Sequence, residues 1–398
     1  MGNQPLLERV ALRYFQHLGA EGVRRDDRVH ILDDGERAQM RRIERAAITR
    51  SAIAGALSSV VSGLAEVYSD ARFPVVEGSG LLGRTSYWGV VLGATVVASI
   101  FEIAFLYWDA LRSVHRLAAA AGLPLEVVEG EGIPTALARA ALELPNPPDA
   151  VLGVDPGREV SRTRLAMIAL LYKGKIAVSS FLMKMLLRRI LARAVARATI
   201  GLWLPFVPVL VTAAWNAVVT WLVVREARVR ALGPSMVGES LGGLWGSVQP
   251  GSRAAAVMVR AVASTIVRKQ TLHPNLHALL VAVHGMAGTP AAEEVDDPAR
   301  FLAELQALPA ESRPAPLRLL CVALVIDGKT SARDKKLIGD AGRAAGIEIP
   351  LQDLEGLRRA FVSGDGFTPE VLRSLPPGPA GTTGAAPAPA PQASAAEA

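Results

Sequence analysis

Residues 85–108 read TSYWGVVLGATVVASIFEIAFLYW, an apolar run with Tyr87 and Trp88 near one end and Tyr107 and Trp108 at the other. Twenty helical residues rise about 30 Å, the thickness of a bilayer's hydrocarbon core. Aliphatics between two aromatic pairs match the interfacial belts of a membrane helix. A run of this kind leaves two solutions, a membrane-embedded helix or the central helix of a large soluble core. The chain is 51% hydrophobic over 398 residues with a mean hydropathy of +0.30, which excludes a disordered polymer. Its one cysteine, Cys321, excludes an internal disulfide framework and a Cys-rich zinc module.

Two further segments share this character. Residues 51–65, SAIAGALSSVVSGLA, are uncharged and follow an Arg-rich stretch. A helix is predicted from near Glu36 with Asp34 as its N-cap. Gly55, Ser59 and Gly63 repeat every four residues, and Gly89 and Gly93 form a G-x-x-x-G in the next run. Small-residue stripes let helices approach closely in an apolar medium. Residues 46–67 and 85–108 are therefore expected to pair as an antiparallel hairpin through 68–84. Glu102 is expected as a buried acid, because a charge facing lipid is costly. Residues 198–224 are uncharged throughout and contain Pro205 and Pro208. Prolines remove backbone donors and both flanks are basic, so a kinked span or a re-entrant segment is predicted, with the re-entrant form preferred.

Charge is concentrated. Residues 156–235 hold 13 basic and 2 acidic groups, against 43 and 37 in the whole chain. Within that block, 176–197 reads as a cationic amphipathic helix with Lys184, Arg188, Arg189, Arg193 and Arg197 on one face. Such a face adsorbs to anionic lipid headgroups, the partner expected here. The alternative is a solvated face of a helical bundle. No aromatics interleave these charges, so nucleic acid is not an expected partner.

The expected organisation is mainly α. Amphipathic and charged helices occupy 1–45, and a membrane-associated helical region occupies 46–232. A Gly/Ser/Pro-rich linker follows over 233–252, then a soluble helical domain over 253–375 that folds alone, and a disordered Pro/Ala-rich tail over 376–398. Residues 1–30 contain Glu8, Arg9, Arg13, Glu21 and Arg24 and fit no signal-peptide core, so membrane attachment is expected of internal segments.

Three catalytic-looking strings lack their context. Gly78-Ser79-Gly80-Leu81-Leu82-Gly83 fits G-x-G-x-x-G, but no strand–helix alternation surrounds it. Gly238-Glu239-Ser240-Leu241-Gly242 fits G-x-S-x-G outside any hydrolase-type sheet. Gly328-Lys329-Thr330 lacks the first phosphate-cradling glycine, since Ala323 stands there. His277 and His284 share a helix face two turns apart, too far for one metal. No nucleophile, base or metal cluster emerges, and no enzymatic activity is expected.

Two resemblances add to this reading. The Gly/Ser-rich helix, the acid-bearing apolar helix, LRSVHRLAAAAGLPL, the basic helix and LPFVPVLVTAAWNAVVTWLVVREA come in the order of the EcsC-like family of bacterial membrane-associated helical proteins. That resemblance covers about 45–232, and Asn216 falls where the family places an Asn after its Pro-containing turn. LRLLCVALVIDGKTSARDKKLIGDAGRAAGI resembles the TerB-like, tellurite-resistance-type helical fold, with Asp334 where Glu is usual. On the residues alone, Gly328 is a helix C-cap, Ser331 an N-cap and Asp334 the acid of a capping box. The resemblance implies instead that Asp327 and Asp334 are candidate divalent-cation ligands, in a chain otherwise expected to hold no cofactor. It also implies a sensing or docking module that meets a protein partner. The expectation is a non-enzymatic protein of the bacterial inner membrane with its C-terminal domain in the cytoplasm, in envelope or metal-oxyanion stress. The alternative is a soluble all-helical scaffold.

Overall fold

The computed structural model describes residues 6–18, 33–73, 81–123, 133–142, 150–159, 207–246, 248–288 and 295–365, with Leu372 and Leu375. The chain is mainly helical, and no strand occurs among the described residues. The expected tail over 376–398 lies outside them.

Helix α1 (Leu6–Leu18) is short and amphipathic and buries Ala11, Leu12 and Phe15. Helix α2 (Asp34–Arg72) opens with a capping box. Glu36 N donates to Asp33 Oδ1 at 2.7 Å and Asp33 N to Glu36 Oε2 at 2.9 Å. The cap is thus Asp33 rather than the expected Asp34. Only Asp33 has a carboxylate three positions on to complete the box; Asp34 pairs with Arg37 at 2.8 Å. Helix α3 (Leu81–Ala120) returns beside α2, as the expected hairpin requires, and α5 (Val207–Trp245) packs on both. Helix α4 (Ile133–Ala141) lies against α1, α3 and α5.

Helices α6 (Arg253–Lys269), α7 (Pro274–Ala287), α8 (Pro298–Gln306), α9 (Pro314–Val325), α10 (Ala332–Ala345) and α11 (Leu351–Ser363) form the C-terminal bundle. From Ala315 to Val325 every residue but Arg318 is buried, and α6 is buried from Val257 to Val267. A helix apolar on every side has to be enclosed by others, so α6 and α9 pack on each other at the centre.

The expected linker over 233–252 is not one. Helix α5 continues through Pro234 to Trp245 and buries Leu232, Met236, Val237, Leu241 and Leu244. The apolar residues recur with helical period, and that periodicity prevails over a glycine-rich composition. Pro208 stands in the first turn of α5, where its missing N–H has no helical partner, so it produces no break. Helix α5 also packs on α7, α9 and α11. One hydrophobic cluster runs from α1 and the lower parts of α2 and α3 through α5 into the C-terminal bundle. The boundary expected at 253 therefore cuts through a shared core.

Candidate functional site: an apolar three-helix section and its junction

Helices α2, α3 and α5 are each long and apolar enough to cross a membrane. Their outer faces carry Leu57, Phe101 and Leu210 at 61%, 73% and 79% exposure, beside Trp88, Ile100 and Val218. Elsewhere among the described residues only Val10, Leu152, Val281 and Leu351 are large apolar side chains left exposed.

The interior of this section is polar. Asn216 on α5 donates its Nδ2 to Glu102 Oε1 on α3 at 2.8 Å and to the Ser51 carbonyl on α2 at 3.4 Å. Ser51 Oγ donates to the Ile48 carbonyl at 2.8 Å and approaches the Asn216 carbonyl at 3.3 Å. One turn further on, Ser59 Oγ donates to Thr212 Oγ1 at 2.9 Å, and Thr212 donates to the Pro208 carbonyl at 2.8 Å. Glu102 is buried at 4% exposure, and Asn216 joins all three helices.

Gly55, Ser59 and Gly63 all lie on the buried face of α2. Gly55 serves the contact with α5: a Cβ there would stand 2.5 Å from Asn216 Nδ2 and 2.9 Å from the Thr212 carbonyl. Gly89 and Gly93 do not serve as packing residues. Both are exposed, with nothing within 4 Å of a Cβ built on either. Helix α3 turns Val91, Ser99, Glu102 and Asp109 inward, and two positions from Val91 in either direction falls on the opposite face.

Charges close one end of the section. Arg50 grips Asp109 through Nε at 2.7 Å and NH2 at 3.2 Å, with Ser113 Oγ at 3.1 Å. Arg228 meets Glu44 at 3.0 Å. Below this layer α5 enters the C-terminal bundle. Glu226 accepts from His273 Nε2, Lys329 and Arg230, each at 3.1 Å. His273 Nδ1 accepts the Asn275 amide at 3.2 Å, which caps α7 and leaves the ring proton on Nε2. Burial pushes the His273 imidazole down, so it is neutral near pH 7. Burial raises the Glu226 carboxyl, but the bond from His273 and the charges of Lys329 and Arg230 outweigh it and hold it well below the usual carboxylate range. Asn275 Nδ2 donates to the carbonyls of Val229 and Ile326, both at 2.8 Å.

Asp327 and Asp334 lie close together, around a side chain. Lys269 Nζ lies 2.9 Å from Asp327 Oδ2 and 3.1 Å from Asp334 Oδ2. Asp334 also completes the Ser331 capping box, and Gly328 adopts φ +72° to close the turn after α9. An ammonium thus occupies the position between the two carboxylates. No cluster of three or more His, Cys, Asp or Glu suited to a metal occurs among the described residues. Nothing in the local sequence marks Lys269, which stands 58 and 65 positions before its partners. The same holds for the Glu226–His273 pair, which comes from helices expected in different domains.

Lys184, Arg188, Arg189, Arg193 and Arg197 lie outside the described residues. No family model, curated protein or solved structure matches this chain.

Proposed function

We propose that this protein is embedded in a membrane through α2, α3 and α5 and holds its C-terminal helical bundle rigidly against one face of that membrane, as a non-enzymatic docking or sensing module. The observation that carries the reading is the inversion of polarity: exposed Leu, Ile, Val, Phe and Trp outside, and Ser, Thr, Asn and Glu inside. In water such an outer face costs about 25 cal/mol per Å2 of apolar surface, whereas lipid solvates it. Interhelical hydrogen bonds and a close Gly55 contact are the means by which helices associate where no hydrophobic drive exists between them.

The junction supports a docking or sensing role over catalysis. Glu226, His273, Lys269, Asp327 and Asp334 are engaged with one another, and they tie α5 to the bundle. The bacterial inner membrane, a cytoplasmic bundle, a link to envelope or metal-oxyanion stress, and membership of the EcsC-like and TerB-like families belong to the same proposal. Carbonate washing of membranes from cells making the full chain tests it. Retention in the pellet is expected; release into the supernatant would overturn the reading and favour a soluble scaffold with its apolar faces covered by other chains.

A further inference from the structure

The charged end of the apolar section carries more positive charge than its own carboxylates neutralise. Asp109 is taken by Arg50, Glu44 by Arg228, and Glu226 by His273, Lys329 and Arg230. Arg41, Arg42 and Arg45 on α2, Arg112 and Arg116 on α3, and Arg225 on α5 remain without an ion-pair partner among the described residues. Arg41, Arg42, Arg45 and Arg116 are exposed.

Their levels follow from the helix rise. The Arg50–Asp109 contact fixes α2 against α3, and the Arg228–Glu44 contact fixes α5 against α2. At 1.5 Å per residue, Arg112 and Arg225 stand about 4–5 Å beyond the Arg50 layer, Arg45 about 7–8 Å, and Arg116, Arg42 and Arg41 about 10–14 Å. The headgroup region of one leaflet is about 5–8 Å thick. With the Arg50–Asp109 layer set at the edge of the hydrocarbon core, three of these arginines, Arg45, Arg112 and Arg225, fall within headgroup depth. The others lie near its edge, within about one Debye length. Arg112 lies over the Trp108 ring at 5.2 Å and Arg225 over Trp221 at 5.6 Å, so each guanidinium rests on an aromatic that itself prefers the interface.

We propose that these arginines form a collar that binds the phosphates of anionic lipids and selects them over zwitterionic ones. The inference rests on the membrane reading above, but it uses residues other than the 176–197 stripe. Guanidinium groups suit phosphate because their planar fork donates two parallel hydrogen bonds. Each basic side chain near an anionic leaflet adds an attraction that screening removes at high salt.

The test uses the full chain in nanodiscs of equimolar phosphatidylglycerol and phosphatidylcholine, with the lipids retained after gentle detergent extraction counted by mass spectrometry. The parent should retain phosphatidylglycerol over phosphatidylcholine by about fivefold, the equivalent of one such contact. The variant R42Q/R45Q/R112Q/R116Q, which keeps only Arg41 and Arg225 of the collar, should lose most of that enrichment. Its lysine counterpart, R42K/R45K/R112K/R116K, should keep most of the enrichment and shows that the sites tolerate replacement. The control R333Q/K335Q/K336Q/R343Q removes equal charge from exposed positions on α10, outside the collar, and should behave as the parent. Full enrichment in the first variant, or equal loss in the control, would overturn the collar. A parent that enters nanodiscs but retains the two lipids equally would overturn the collar alone. A parent that does not enter even neutral phosphatidylcholine nanodiscs would overturn the membrane reading with it.

Discussion

Gly233 sits where α5 and α7 meet with no room for a side chain. A Cβ there would stand 2.1 Å from Asn275 Oδ1 and 2.2 Å from its Cγ, and two hydrogen bonds hold that amide in place. Gly233→Ala must displace Asn275 and release the Val229 and Ile326 carbonyls into a buried site. We predict a loss of about 2–3 kcal/mol, read as a lower melting temperature of the full chain, with Gly285→Ala, a helical position that meets nothing within 4 Å, as the control that leaves the melting temperature unchanged or slightly raised. His273 gives a pH test. Its folded pKa lies below the ordinary 6.5, so the unfolded chain binds the extra proton first as pH falls. Stability contributed by the neutral ring is fully present above pH 6.5 and declines below it. The melting temperature should drop between pH 7.5 and 5.5, and His273→Asn, which can still cap α7, should flatten that drop. An unchanged slope in the variant would remove His273 as the cause. At this scale the sequence revealed what is local, such as the Ser331–Asp334 capping box and the inward acid Glu102. It hid what depends on distant partners. Asp327 and Asp334 looked like cation ligands because the cation that meets them, Lys269, comes from another helix.

Helix α5 shows how the elements combine. Its first half belongs to the apolar section and its second half to the core of the C-terminal bundle. Helices α2 and α3 were legible from uncharged length, aromatic ends and the Gly55–Ser59–Gly63 stripe, because those features act within one element. The continuation of α5 past Gly233 was masked by Gly, Ser and Pro, which signal a linker when chain statistics are read without the partner surface. A fragment of residues 253–375 lacks Leu232, Met236, Val237, Leu241 and Leu244, on which α7, α9 and α11 pack. A fragment of 225–375 restores them. We predict a cooperative thermal transition for the longer fragment and a broader one, at least about 10 °C lower, for the shorter, followed by circular dichroism. Five buried aliphatics at about 1.5–3 kcal/mol each exceed the margin of a small domain. Equal transitions would restore the independent domain.

At the scale of the whole molecule, orientation follows from charge. Arg37, Arg41, Arg42, Arg45 and Arg50 precede the apolar part of α2, whereas 68–84 carries only Arg72 and Arg84, balanced by Asp70 and Glu77. On the proposed membrane reading, the positive-inside rule predicts that the Arg-rich end faces the cytoplasm, and the bundle lies at that same end because Glu226, Arg228 and Arg230 lead α5 into it. From Val207 to Arg225, α5 rises about 27 Å as one continuous helix that does not turn back, while 198–206 of the segment expected to re-enter, Pro205 among them, lie outside the described residues. Cysteine accessibility can read this directly. The single native thiol, Cys321, is buried and its pKa is pushed up to about 12, so it should stay silent to maleimide in the folded chain. Gln39→Cys at the Arg-rich end and Ala71→Cys at the opposite end are both exposed positions on α2. In intact cells a membrane-impermeant maleimide should label Ala71→Cys at least about tenfold faster than Gln39→Cys, and permeabilisation should bring Gln39→Cys to the same rate. Labelling of Gln39→Cys alone would invert the protein. Protection of both until permeabilisation would put both ends of α2 in the cytoplasm and leave the apolar faces to be covered by something other than a bilayer.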